Sequence, residues 1–278
     1  MTNGSKSSNK FDVSVASSRS SIKQLFDVLS SLDENKKQLV RSIGFGGLLM
    51  FPALRQINRR FSVWLMSKVD PLSQTLVIDS EKKLPFNKED VERVFGIPSS
   101  GNSVFALGAP SKKVINKVAD MYLPGRAKDK RSVKAAQDVV ERLYLEGMSA
   151  SDENAFRVAF VVYIMSTLLS PGSKHDYVSF DYWNALADPS EINSFDWSKY
   201  VIKRLYQAVV KVKAEVSSSN KVTNINGCSV FLQVIFLRLQ TFLSDNHLLQ
   251  TMVSGGLQGS YHMVSQRPLF LLHVVVRS

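Results

Sequence analysis

The stretch Asp152–Leu169, DENAFRVAFVVYIMSTLL, decides the fold. Its Phe156, Val158, Phe160, Val161, Tyr163, Ile164 and Leu168 fall on every side of a helix with 3.6 residues per turn. A helix that is apolar all round offers water no face, so it belongs at the centre of a bundle. The apolar run within it, Ala155–Leu169, contains Arg157 and is shorter than the roughly 18 to 20 residues needed to cross a bilayer. The spacing therefore predicts a buried core helix, opened by Asp152 and stopped by Pro171 and Gly172.

The segments on either side supply helices to surround it. Before it, Ser132 can cap a helix with Val133, Ala136, Val140, Leu143 and Tyr144 inward and Gly147 as terminator. Ser111 can cap another, carrying Val114, Ile115, Val118 and Tyr122 and closed by Pro124 and Gly125. After it, Asp196 can cap Trp197–Val216. Val201, Leu205, Ala208 and Val212 then turn inward, with Lys199, Lys203, Lys211 and Lys213 outward. Ser217–Asn220 reads as a flexible loop, and Cys228–Leu243 as a last apolar helix.

Towards the amino terminus, Ile22, Leu25, Phe26, Leu29 and Leu32 recur at helical spacing, and Asp33 can cap a short helix with Leu39, Val40 and Ile43 that Gly44 ends. A further helix is expected from Pro52, with Leu54, Ile57, Phe61, Trp64 and Leu65 on one face and Arg55, Arg59 and Arg60 on the other. Asn87 and Asp90 mark a helix start, with Gly96 and Pro98 after Phe95 as its end. The β-prone run Leu76–Ile78, with Leu84 and Pro85, predicts a small hairpin or strand pair, and Val104, Phe105 and Leu107 a second extended piece. The fold class is mainly α: a single irregular helical bundle domain with a small β-hairpin element. Residues 1–20, rich in Ser, Asn and Lys, read as a disordered leader, 21–243 as the domain, and 244–278 as a divergent tail.

An apolar fraction of 44% is enough for a sizeable core, and 35 Lys and Arg against 24 Asp and Glu give a formal charge of +11. That excess favours an acidic partner such as nucleic acid or chromatin, and it also serves solubility. One cysteine, Cys228, excludes an intramolecular disulfide and a cysteine-based zinc site. Met1–Ser8 is polar and lacks the apolar segment of a secretory signal, so a soluble intracellular protein with no membrane partner is expected.

Several stretches carry a resemblance beyond composition and spacing: Leu39–Leu48 (LVRSIGFGGL), Ile57–Leu65 (INRRFSVWL), Leu84–Gly101 (LPFNKEDVERVFGIPSSG), Asn154–Leu169, Pro171–Ser190 (PGSKHDYVSFDYWNALADPS) and Asn226–Leu232 (NGCSVFL). In this order they resemble the plant mobile domain, often labelled "aminotransferase-like". The resemblance runs from about Lys37 to Leu243 and fades after about Ser244, where Asp245–Ser278 reads as an unrelated tail, as expected of a truncated or misread gene copy. Relatives occur within transposons and as host genes derived from them, some joined to a ubiquitin-like-protease peptidase or a phosphatase domain. The resemblance implies a nuclear protein of transposon biology, silencing or genome maintenance, with nuclear proteins as partners. It brings no catalytic residues.

The chemical motifs are sparse. Gly44, Gly46 and Gly47 have neither the G-x-x-x-x-G-K-[ST] nor the G-x-G-x-x-G spacing of a phosphate loop, so a structural turn is expected. Pro171–Lys174 lacks the upstream glycine. His175–Asp176 as an acid/base pair, or Cys228 with His175 as a nucleophilic pair, would make a cryptic hydrolase. Adjacent residues seldom have the required geometry, however, and Cys228 opens an apolar helix. A pyridoxal-phosphate enzyme would need an alternating βαβ pattern and a phosphate cup, and neither is present, so no enzyme, cofactor or metal is expected. The densest basic cluster, Arg126, Lys128, Lys130, Arg131 and Lys134, is the candidate for phosphate contact or nuclear import. Direct, salt-dependent DNA binding through such faces is the alternative to a protein-interaction module.

Overall fold

The computed structural model describes residues 22–51, 57–125, 128–172, 178–219 and 221–238. Eight helices are α1 (Ile22–Ser31), α2 (Glu34–Ser42), α3 (Arg59–Lys68), α4 (Lys88–Phe95), α5 (Lys112–Tyr122), α6 (Val133–Val140), α7 (Ala150–Ile164) and α8 (Trp197–Ser219). Residues 229–238 are also helical. Three short strands, β1 (Val69–Asp70), β2 (Thr75–Val77) and β3 (Lys83–Pro85), pair antiparallel in that order, with Leu76 opposite both Val69 and Leu84. The fold is mainly α with a small antiparallel element. No helix among the described residues is long and apolar enough to cross a membrane.

The helix α7 is the hub. From Ala155 to Ile164 every residue except Arg157 is buried. Arg157 stays at the rim by bonding its own helix, at 3.1 Å to Glu153 and 2.8 Å to Asn154. The elements α2, α5, α6 and the 3-10 segment Pro189–Ser194 pack around it. Its start is a capping box in which Ser149 accepts from the Asp152 amide and Asp152 accepts from the Ser149 amide, so the cap is Ser149 and Asp152 is its partner. Its end widens into one π-helical turn, Met165–Leu169, closed by the Ser170 amide on the Met165 carbonyl at 2.8 Å.

Two features fasten the shell to the hub. Lys36 is buried to 3% exposure on α2, and its ammonium donates to the Val140 and Arg142 carbonyls at 2.8 and 2.7 Å. It thus closes the carboxyl end of α6, where the helix dipole favours a cation, and lies 5.7 Å from the Tyr144 and Phe156 ring centres. On the other side, buried Asp196 caps α8 through the Lys199 amide at 2.8 Å and holds the Lys88 ammonium at 2.9 Å. Lys88 also donates to the Ser99 carbonyl, so α4, the loop after it and α8 meet at one charged joint.

The glycine turn is structural. Gly44 adopts φ +82°, and Gly47 lies against Gly96, where a Cβ on Gly47 would stand 2.5 Å from the Gly96 Cα. The blocks Leu39–Leu48 and Leu84–Gly101 therefore touch backbone to backbone.

Several expectations are corrected. Val104–Leu107 is a 3-10 turn and not extended, because Ser103–Ala106 and Phe105–Gly108 close local hydrogen bonds. The helix expected from Pro52 starts at Arg59, where Asn58 caps it. Pro52, Leu54 and Arg55 lie outside the described residues. Leu143 is 83% exposed because α6 stops at Val140. On α1 Val28 is buried and Phe26 only half-buried. Ser217–Ser219 continue α8 where a loop was expected, Lys213 is half-buried, and the last helix begins at 229, one residue after Cys228. The leader 1–20, the tail 244–278 and residues 239–243 of the last helix lie outside the described residues.

Gly47→Ala is expected to lower unfolding stability by about 1 to 3 kcal/mol in urea titrations, since two backbones must separate. Gly172→Ala, with nothing among the described residues within 4 Å of the added methyl, is expected to change it by less than about 0.5 kcal/mol.

Candidate binding cleft

The helix α8 presents Arg204, Gln207, Ala208 and Lys211 at intervals of three, one and three residues, one stripe of its surface. That stripe forms one wall of a cleft of about 600 Å³. The opposite side comes from Ser170–Gly172 at the end of the π-helical turn, Val178–Phe180, and Asn226–Gly227 before the last helix. Gly227, at φ +68°, donates its amide to the Pro171 carbonyl at 2.9 Å and brings these walls together. Residues from the stretches Pro171–Ser190 and Asn226–Leu232 thus share the side that faces α8.

Its polar side chains are the Arg204 and Lys211 cations, the Gln207 and Asn226 amides and the Ser170 and Ser179 hydroxyls, and Arg204 donates to Gln207 Oε1 at 3.1 Å. The Arg204 guanidinium is 3.7 Å from Asp181, and the Lys211 ammonium 3.7 Å from Glu215. Charge-assisted hydrogen bonds are normally 2.7 to 2.9 Å, so both cations stand back from their acids. Both acids already have nearer donors. Asp181 accepts from the Tyr200 hydroxyl at 3.0 Å and from Ser179, and Glu215 from the Thr223 amide at 3.0 Å. Asn226 Oδ1 is buried with no hydrogen-bond partner among the described residues.

The basic cluster singled out in the sequence is only partly available. Arg126 lies outside the described residues. Lys128, Lys130, Arg131 and Lys134 are exposed. Lys130 is 3.2 Å from Asp120, Arg131 3.4 Å from Asp129 and Lys134 3.0 Å from Asp138. Four cations thus face three carboxylates, and the local field is much weaker than the sequence spacing suggests. Pairs this exposed are worth roughly 0 to 1 kcal/mol each and can be exchanged. The Arg131 carbonyl accepts from the Val178 amide at 3.3 Å, which places this loop beside the cleft rim. Arg59 and Arg60 sit exposed in the first turn of α3.

His175 and Asp176, weighed as an acid/base pair, lie outside the described residues, and His175 is also the histidine that would partner Cys228. All four histidines, at 175, 247, 262 and 273, lie outside them, as do Lys174 and Asp176. Cys228 is fully buried, and burial pushes its thiol from 9.0 up to about 12. Among the described residues no group of three or more His, Cys, Asp or Glu could hold a metal ion. Arg204 was not singled out from the sequence and Lys211 was read only as part of an exposed face. Their spacing on α8 was the available signal, but the opposite wall is set by the fold.

The molecule is a mainly helical domain with a cation-walled cleft. Residues 18–233 match the family described as "Domain of unknown function (DUF8566)", and the chain belongs to it. No curated protein and no solved structure matches the chain.

Burial pushes the ionisation of Tyr163, Tyr182, Tyr200 and Tyr206 to higher pH, as it does that of Cys228. Raised acids keep their protons in the folded chain while the unfolded chain loses them. The stability they contribute is full below about pH 9 and is lost as pH climbs through about 10 towards 12. Chemical denaturation across that range is expected to show a monotonic fall. Alkylation of Cys228 near pH 8 is expected to track global unfolding, and rapid labelling of the native chain would contradict its burial.

Proposed function

We propose that the chain is a non-catalytic interaction module of transposon origin that acts in the nucleus, in transposon biology, silencing or genome maintenance. The observation that carries this is the chemistry of the cleft. Among the described residues its polar side chains are guanidinium, ammonium, amide and hydroxyl groups that suit recognition of a partner, and the lone thiol is buried.

The plant mobile domain resemblance supports the same conclusion. Two of its blocks touch where Gly47 lies against Gly96, and two others are joined by the Gly227 amide on the Pro171 carbonyl on one side of the cleft. Direct DNA binding is the second reading, favoured by the charge of +11. The carboxylates beside Lys130, Arg131 and Lys134 weigh against that cluster as its site.

A fluorescent fusion of the full chain in plant cells is expected to concentrate in nuclei, and exclusion from nuclei would contradict the proposal. In duplex DNA titrations over a salt series, the chain is expected to bind only weakly, both as it stands and with Arg126, Lys128, Lys130 and Arg131 reversed to Glu. Tight binding with a steep salt slope that the reversal abolishes would make the chain a DNA-binding protein.

A further inference from the structure

We infer that the cleft between α8 and the Ser170–Gly172 and Asn226–Gly227 segments binds a short acidic peptide. The inference rests on the interaction-module reading above and names the partner of that site. Three observations carry it.

First, Arg204 and Lys211 lie two turns apart on one face of α8, about 10 Å along the helix axis. An extended peptide rises about 3.3 Å per residue, so acidic side chains a few residues apart would meet both cations.

Second, neither cation makes a close ion pair, and Arg204 donates instead at 3.1 Å to the neutral Gln207 Oε1 one turn further along its own helix. Each stands 3.7 Å from a carboxylate that accepts from a nearer donor, Tyr200 and Ser179 on Asp181, and Thr223 on Glu215. A carboxylate entering the cleft can make the close contacts that these acids do not.

Third, the cleft also offers an acceptor. Among the described residues Asn226 Oδ1 has no hydrogen-bond partner, so it can accept from a ligand donor without breaking a bond seen there. A peptide supplies N–H donors beside its carboxylates, whereas a nucleic-acid backbone supplies phosphate acceptors and no N–H. Val178, Phe180 and Ala208 line the same space and suit apolar atoms of a peptide. This combination of cations, an amide acceptor and apolar wall fits an acidic peptide better than a phosphate chain.

The test is fluorescence polarisation with the full chain, using a labelled glutamate-rich peptide, a neutral peptide of equal length, and duplex DNA as competitor. The acidic peptide is expected to bind and the neutral one not. Lys211→Gln and Arg204→Gln are each expected to weaken binding about tenfold or more, and Asn226→Ala severalfold. Lys199→Gln, an exposed charge on another face of α8, is expected to leave it unchanged. Lys211 is half exposed, so its substitution leaves the fold intact, and unchanged thermal melts verify this for every variant.

Absence of peptide binding would overturn the inference. So would an equal loss with Lys199→Gln, which would mark unspecific attraction. Duplex DNA that displaces the peptide and depends on Lys211 would overturn it too and assign the cleft to nucleic acid. Nuclear enrichment of the fusion is read separately, so failure of the cleft assignment and failure of the module proposal are distinguishable.

Discussion

The helix α7 has no side that water can occupy, and that constraint organises the rest of the molecule. Ala155–Ile164 can be stable only if neighbours cover the helix on all flanks, and α2, α5, α6 and the Pro189–Ser194 segment do so. Aromatic rings then link this hub to α8. Phe160 meets Phe45 edge-on, Phe45 meets Trp197, and Trp197 contacts Tyr182 and Tyr200. Truncating one such ring to alanine in a packed core typically costs about 3 to 5 kcal/mol, a large share of a domain's total stability.

The polar joints make this packing specific. Hydrophobic burial alone would tolerate helices sliding past one another. The Lys36 ammonium on the last carbonyls of α6 fixes α2 against α6, and Asp196 with Lys88 fixes α4 against α8. In turn α8 places Arg204 and Lys211 opposite Asn226. The cleft is therefore a consequence of a rigid core, built where the π-helical turn, α8 and the Gly227 turn converge.

Much of the fold was legible in the sequence because its signals are local. The caps at Asp33, Asn87, Ser111, Ser132 and Asp196 stand where their side chains accept from amides two or three residues on. The all-round apolar run marked α7. What failed depended on distant partners. The third strand β1 is only two residues long, and Val104–Leu107 gave no periodic signal against a tight turn. The burial of Lys36 is set by carbonyls more than a hundred residues away. The basic cluster looked stronger in sequence than in space because Asp120 and Asp138 approach it through the fold of α5 and α6. The cleft was not legible because its walls come from three separate regions.

Native-state hydrogen exchange tests the central role of α7 most directly. The account predicts that amides from Phe156 to Ile164 exchange only through global unfolding, with protection that equals the unfolding free energy from denaturant titration. Exchange of α7 through a lower-energy opening, while α4 and α8 stay protected, would contradict it.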